Sequence, residues 1–299
     1  MKLAPIALFV YARLDHTKRT ICALKQNNLA KESDLFIFSD GPKDLAMANE
    51  VKKVREYLRS INGFKSVTIF ESATNKGLAS SIITGVTKIV NRYGKVIVLE
   101  DDLVTSPYFI SFINDALDLY KNNLQVTSIS GYAYPINDLP EIFFLRGADC
   151  WGWATWKRGW DLFEPDGKKL LSQIEKKSLS LEFDYNNSYP FTQMLRDQID
   201  GKNNSWAIRW VASNFLKNKL ILYPGRSLVR NIGNDSSGVH NKQKTTWLDS
   251  KLIEKPLILN KIEITESPKI RKKFETFFKF RKSLIGRIWL KIISLFNGD

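Results

Sequence analysis

A chain of 299 residues with 43% hydrophobic and 12% aromatic side chains is long and apolar enough to build a sizeable core, which excludes a disordered or collagenous protein. Its two cysteines, Cys22 and Cys150, form no CxxC pair, so a disulfide scaffold and a cysteine zinc site are excluded and a reducing compartment fits. The net charge of +14 calls for an anionic partner, and no apolar run approaches the ~20 residues of a membrane span.

In chain order, Ile6 to Tyr11 reads as a first strand, too short to be the apolar core of a secretory signal. A helix follows from near Asp15 or Thr17, with Ile21, Leu24 and Leu29 on one face. Leu35 to Ser39 is a second strand, broken by Asp40-Gly41-Pro42, and Ala48, Val51, Val54 and Leu58 mark the next helix. Val67 to Phe70 leads through Asn75-Lys76-Gly77 into a helix with Ile82, Ile83, Val86 and Ile89, and Lys95 to Leu99 is a fourth strand. This β-α-β-α-β-α-β order predicts an α/β fold with a mostly parallel sheet, covered on both faces, whose strand C-termini form one ligand-binding edge. Four loops on that edge carry polar groups: Arg13, Asp40, Asn75-Lys76-Gly77 and Glu100-Asp101-Asp102. No GxGxxG follows the first strand and no GxxxxGK[ST] occurs, which argues against a dinucleotide or P-loop site.

Three adjacent carboxylates at a strand end are costly unless a cation or a donor-rich ligand neutralises them, and a divalent metal ion does so directly. Ser106 as N-cap and Pro107 as first helical residue, then Phe109, Phe112, Ile113, Ala116 and Leu117, place the triplet in a strand-to-helix loop. Further on, Val126 to Gly131 and Ile142 to Leu145 are strand-like, and Trp151 to Trp156 opens a less regular aromatic region. Most of the eight tryptophans lie between Trp151 and Trp210, and Trp151, Trp153 and Trp156 offer a stacking platform for a sugar. Val211 to Leu216 reads as helix and Leu220 to Tyr223 as strand, and the turn-rich run Ser227 to His240 ends on one of two histidines. The other, His16, reads as an ordinary surface residue. From Pro268 to Asp299 nine Lys and Arg oppose only Glu275 and Asp299 and alternate with large apolar side chains, a pattern for a basic amphipathic helix on anionic lipid. Nucleic acid is the poorer partner for that tail, because its bases are interleaved with aliphatics and no nucleic-acid motif occurs elsewhere.

Phe38-Ser39-Asp40-Gly41, Asn75-Lys76-Gly77-Leu78-Ala79, Val98 to Leu103, Trp151 to Trp156 and Ser227 to His240 together resemble the nucleotide-sugar-dependent glycosyltransferases of the GT-A fold. The likeness is to bacterial sugar transferases allied to the N-acetylglucosaminyltransferase I group and to family 2-like enzymes, and it covers roughly residues 4 to 245. It implies a Rossmann-like nucleotide-binding sheet with a smaller acceptor-binding half. It also implies that Asp102 holds Mn²⁺ or Mg²⁺ against the donor diphosphate, that Glu100 and Asp101 face the donor ribose and sugar, and that Asp40 accepts from the nucleobase. Arg13 and Lys76 are then placed for phosphate oxygens, His240 lies near the metal, and Arg209 joins the tryptophans at the acceptor. An inverting transfer needs a carboxylate base, yet Ser205 to Trp210, where relatives carry one, has none. Asp149 is the first substitute and Asp197 the second; a retaining mechanism or an impaired chain stays open.

The expected activity is transfer of a hexose or N-acetylhexosamine, UDP-linked, to a saccharide acceptor in bacterial surface-glycan synthesis, the acceptor carried on a lipid at the cytoplasmic membrane face. A non-catalytic carbohydrate-binding or scaffold protein is the rival. The expected division is a catalytic domain over 1–245 (halves 1–104 and 105–245), a connector over 246–267 and the amphipathic tail over 268–299.

Overall fold

The computed structural model describes residues 2–233, 235 and 247–282. Four parallel strands, β1 (Ile6–Val10), β2 (Asp34–Ser39), β3 (Ser66–Glu71) and β4 (Lys95–Glu100), alternate with α1 (Leu14–Lys25), α2 (Leu45–Arg59) and α3 (Leu78–Tyr93). All five residues of β1 are buried, as in a strand covered on both faces. Its alternation decides which layer each side chain joins: Ile6, Leu8 and Val10 pack with Ile21 and Leu24 of α1, whereas Ala7 and Phe9 pack with Ile82, Val86 and Ile89 of α3.

After the short β5 (Leu103–Thr105) come α4 (Phe109–Leu119), β6 (Val126–Ser130), β7 (Ile142–Arg146) and β8 (Trp153–Trp156). Then follow α5 (Lys157–Trp160), α6 (Gly167–Lys176), α7 (Ser180–Phe183), α8 (Phe191–Ile199), α9 (Trp206–Leu216), β9 (Leu220–Pro224), β10 (Val229–Asn231) and α10 (Pro268–Lys282). The main sheet runs β3-β2-β1-β4-β8-β6-β9-β7, and β10 pairs antiparallel with β5 in a separate ribbon. Only β8 and β7 run against the rest.

Three expectations change. The helix after the acidic triplet starts at Phe109, not at Pro107, because Leu103–Thr105 is drawn into the ribbon with β10 and the Ser106 N–H donates to the Leu228 carbonyl. The aromatic segment expected to be irregular is β8, inserted between β4 and β6, and Trp153 is completely buried there. The start of the tail packs on the protein: Ile270, Phe274 and Phe278 of α10 are buried against Phe143, Leu145, Ile221 and Tyr223 on the β7/β9 side of the sheet. No helix among the described residues is long and apolar enough to cross a membrane.

Candidate functional site

The C-terminal ends of β1 to β4 bring their loops to one edge of the sheet, and side chains lace those loops together. Asp40 Oδ1 accepts from the N–H groups of Gly41 and Lys76, both at 2.9 Å, and Oδ2 accepts from Gly77 N–H at 2.9 Å, so the loop after β2 caps the start of α3. Arg55 of α2 donates to the carbonyls of Ser39, Asp40 and Ser72. Gly41 permits the approach, since a β-carbon there would stand 2.5 Å from the Thr74 carbonyl carbon. Asp40 was expected to read a nucleobase; both its oxygens are instead committed to backbone. Lys76 is exposed beside it and makes no ion pair among the described residues.

Arg13 follows β1 as the residue before α1, its carbonyl fixed by the N–H and hydroxyl of Thr17. A single guanidinium nitrogen, Nη2, donates both to Asp101 Oδ1 and, at 2.8 Å, to Asp102 Oδ2. Burial works against the charged guanidinium, but Asp101 and Asp102 outweigh it and hold Arg13 above its ordinary pKa. Thr20 of α1 donates to the Asp101 carbonyl at 2.8 Å, fixing the turn from the other side. The Glu100 side chain makes no hydrogen bond or ion pair among the described residues; burial, with Asp102 and Asp101 close by, pushes its pKa up to about 8 against the pull of Arg13.

From the far end of the chain, the segment after β10 closes on the same carboxylates. Ile232 N–H donates to the Asp102 carbonyl at 2.8 Å. A β-carbon on Gly233 would lie 2.1 Å from Asp102 Oδ2 and 3.0 Å from Arg13 Nη1. His16, expected at the surface, is only 12% exposed, with Nε2 3.0 Å from Asp235 Oδ2. His240 lies outside the described residues.

Several other expected site residues serve the framework. Trp153 stacks on Trp206 and packs on Trp160 and Trp210, a core cluster with no free face for a sugar, and Trp156 is buried too. Trp151 alone of the three is half-buried, its ring edge-on to Tyr132 at 4.7 Å. Arg209 is buried and donates to the Ser205 and Pro165 carbonyls and to Asn204, which holds the start of α9 and leaves little of the fork for an acceptor. Asp149, 7% exposed, accepts from the N–H groups of Cys150 and Trp151 and from the Tyr223 hydroxyl, so it shapes the turn into β8 and is poorly placed to take a proton from a ligand. Asp197 lies on α8, paired with Lys202 and Gln193 at that helix's C-terminal end.

Thr20 and Arg55 went unread in the sequence, Gly233 was read only as part of the turn-rich run Ser227 to His240, and Cys150 only for its lack of a CxxC partner. Burial pushes the Cys150 thiol well up, and nearby negative charge, that of Asp149 first, adds to it. Nothing in the residue pattern around position 150 announces that. Farther along the same edge, between the loops after β6 and β9, a groove of about 600 Å³ is lined by Tyr134, Asn137, Arg226, Ser227, Lys251, Glu254 and Lys255, among others.

Among the described residues no three His, Cys, Asp or Glu side chains gather as a metal-binding group. Two carboxylate oxygens converging on one cationic nitrogen nevertheless fit a hard divalent ion of the kind that completes its shell with water and substrate phosphates.

No family model and no curated protein sequence matches the chain. Among solved structures it is similar to the mannosyltransferase PcManGT from Pyrobaculum calidifontis in complex with GDP-Man and Mn²⁺, at 11% identity and a TM-score of 0.31 over 44% of this chain and 36% of that one. It is also similar to S. aureus TarS, at 12% identity and 0.32 over 46% of this chain and 23% of that one, and to the 1–349 portion of TarS, at 11% and 0.33 over 46% and 37%. The chain thus spans well under half the length of each, and likeness this slight carries no functional weight.

Proposed function

We propose that the chain is a divalent-cation-dependent glycosyltransferase that moves a hexose or N-acetylhexosamine from a nucleoside diphosphate sugar, UDP-linked, to a saccharide acceptor. One observation carries the reading. The Asp101 and Asp102 carboxylates converge on a single cationic nitrogen at the end of β4, on the edge where open α/β sheets bind ligands.

In this reading Asp102, with Asp101, holds Mn²⁺ or Mg²⁺, and a cation bound there neutralises the diphosphate as it departs. Arg13 and Lys76 bind phosphate oxygens, the first through a planar fork and the second as a point charge. Asp40 and Arg55 act on the donor indirectly, by keeping the loops after β2 and β3 in place. Glu100 and Asp101 face the ribose and sugar. Trp151 and the groove beyond it receive the acceptor, a glycan that we place on a lipid at an anionic membrane face. Lys269, Lys272 and Lys279, exposed on α10, support that location, since each basic residue near such a surface contributes about 1 kcal/mol.

The test is donor hydrolysis over a panel of nucleotide sugars, with and without Mn²⁺, for wild type and Asp102→Asn. Hydrolysis of one donor that needs Mn²⁺ and falls roughly 100-fold in the variant is the expected result. Sugar binding with no hydrolysis of any donor would leave a carbohydrate-binding protein instead.

A further inference from the structure

We propose that Arg13 is the resident counter-cation of the acidic turn, and that its release makes binding of the divalent cation and of the donor diphosphate interdependent. The inference rests on the nucleotide-sugar reading above, and it adds how the two ligands must arrive.

Asp101 is 4% exposed, and Arg13 is the cationic side chain that reaches its carboxylate. Its Nη2 donates to Asp101 Oδ1 and Asp102 Oδ2, on the same two carboxylates that would hold a divalent cation. Those oxygens cannot serve the guanidinium and a cation at once. Nor has the side chain room to shift toward the closing segment, because Gly233 packs against both Asp102 Oδ2 and Arg13 Nη1.

A lone divalent cation therefore has to evict a charge-assisted pair and leave the guanidinium unpartnered. A lone diphosphate meets the carboxylates of Asp101 and Asp102, with Arg13 already engaged. Bound together, the two exchange partners. Arg13, released from the carboxylates, would pair bidentately with the diphosphate, and Asp101 and Asp102 would be left to hold the cation. Each ligand removes the obstacle to the other, and linkage makes the coupling reciprocal.

The test is Mn²⁺ affinity, read from the loss of the free-ion electron paramagnetic resonance signal, for the wild type, Arg13→Gln and Arg13→Lys. Each protein is titrated without nucleotide and with UDP, correcting for UDP–Mn²⁺ association. In the wild type UDP tightens Mn²⁺ binding roughly tenfold or more. Without nucleotide, Arg13→Gln binds Mn²⁺ roughly tenfold more tightly than wild type, and UDP tightens that binding by a smaller factor than in the wild type. Bare Mn²⁺ binding that is unchanged or weaker in Arg13→Gln overturns the proposal. Should that variant fold only with metal present, Arg13→Lys decides: its melting temperature must rise with Mn²⁺ by more than the wild type's, and an equal or smaller rise overturns the proposal. The nucleotide-free titrations report on Arg13 alone. A protein that gains Mn²⁺ affinity on losing Arg13 but hydrolyses no donor would remove the glycosyltransferase reading and keep the counter-cation.

Discussion

Gly233 rests directly on the Asp102 carboxylate, so near that any side chain there would have to displace it: an added β-carbon falls 2.1 Å from Oδ2. Two residues 131 positions apart thus share one small volume, and Gly233→Ala tests what the contact does. The alanine has to push either the closing segment or Asp102, and misplacement of that order lowers donor hydrolysis roughly tenfold to 100-fold. Circular dichroism and the melting temperature remain close to wild type, because the change lies in a loop. Unaltered Mn²⁺-dependent hydrolysis in a folded Gly233→Ala protein would show that the closing segment has no part in the site.

Trp153 and Trp151 separate core from ligand surface. Trp153→Ala empties the centre of the tryptophan cluster and costs about 3–5 kcal/mol in urea unfolding. Trp151→Ala loses less stability, since that ring is already part-exposed, and raises the acceptor KM. The reverse ordering of the two unfolding costs would contradict this division.

Asp149 makes a prediction about pH. Burial raises its carboxyl above the ordinary value, against the pull of the Trp151 N–H, Tyr223 hydroxyl and Cys150 N–H. The native state then keeps a proton that the unfolded chain gives up near pH ~4. Stability from this group is therefore full below that unfolded value and declines as pH rises through the raised native one. Asp149→Asn abolishes the decline, so relative to wild type it gains stability as pH rises above about 4, while kcat stays within about tenfold. Urea midpoints at several pH values measure the first, and a difference that does not vary with pH would refute it. A kcat lowered by about 100-fold would restore Asp149 as the base.

Two truncations divide the C-terminal segment. Ending the chain after Lys282 keeps α10 on the sheet and leaves the unfolding midpoint unchanged. Ending it after Ser267 strips Ile270, Phe274 and Phe278 from their packing and costs several kcal/mol, at about 1.5–3 for each buried side chain. Sedimentation with anionic vesicles, measured on the first truncation and the full chain, then assigns membrane binding to α10 or to residues 283–299. Equal stability of both truncations would show that α10 does not hold the sheet edge.

The first hundred residues were legible because period-2 and period-3.6 patterns alternate there without interruption, and every loop polar group singled out, from Arg13 to Asp102, lies on the same sheet edge. What the pattern could not tell was which polar atoms are already spent. Asp40 and Arg209 have the chemistry of ligand-binding residues, but backbone groups brought from elsewhere in the chain consume it. The β8 segment misled for a related reason. A tryptophan-rich stretch looks like a surface platform until strands on both sides bury it, and those partners lie some 25 to 60 residues away in sequence. The close packing of Gly233 on Asp102 is a tertiary fact that the turn-rich run around it does not announce.

The position of β8 bears on how the chain can be made. β4 finds its second neighbour only when residues 153–156 have left the ribosome, and β6 and β9 join the parallel strands only through β8. Until then the nascent chain carries an open, strongly apolar strand edge, the kind of surface that recruits other chains. The two halves of the sheet are in this sense riveted together by four residues, and the acidic turn at the end of β4 acquires its final surroundings only after Gly233, far later in synthesis, has been delivered to it.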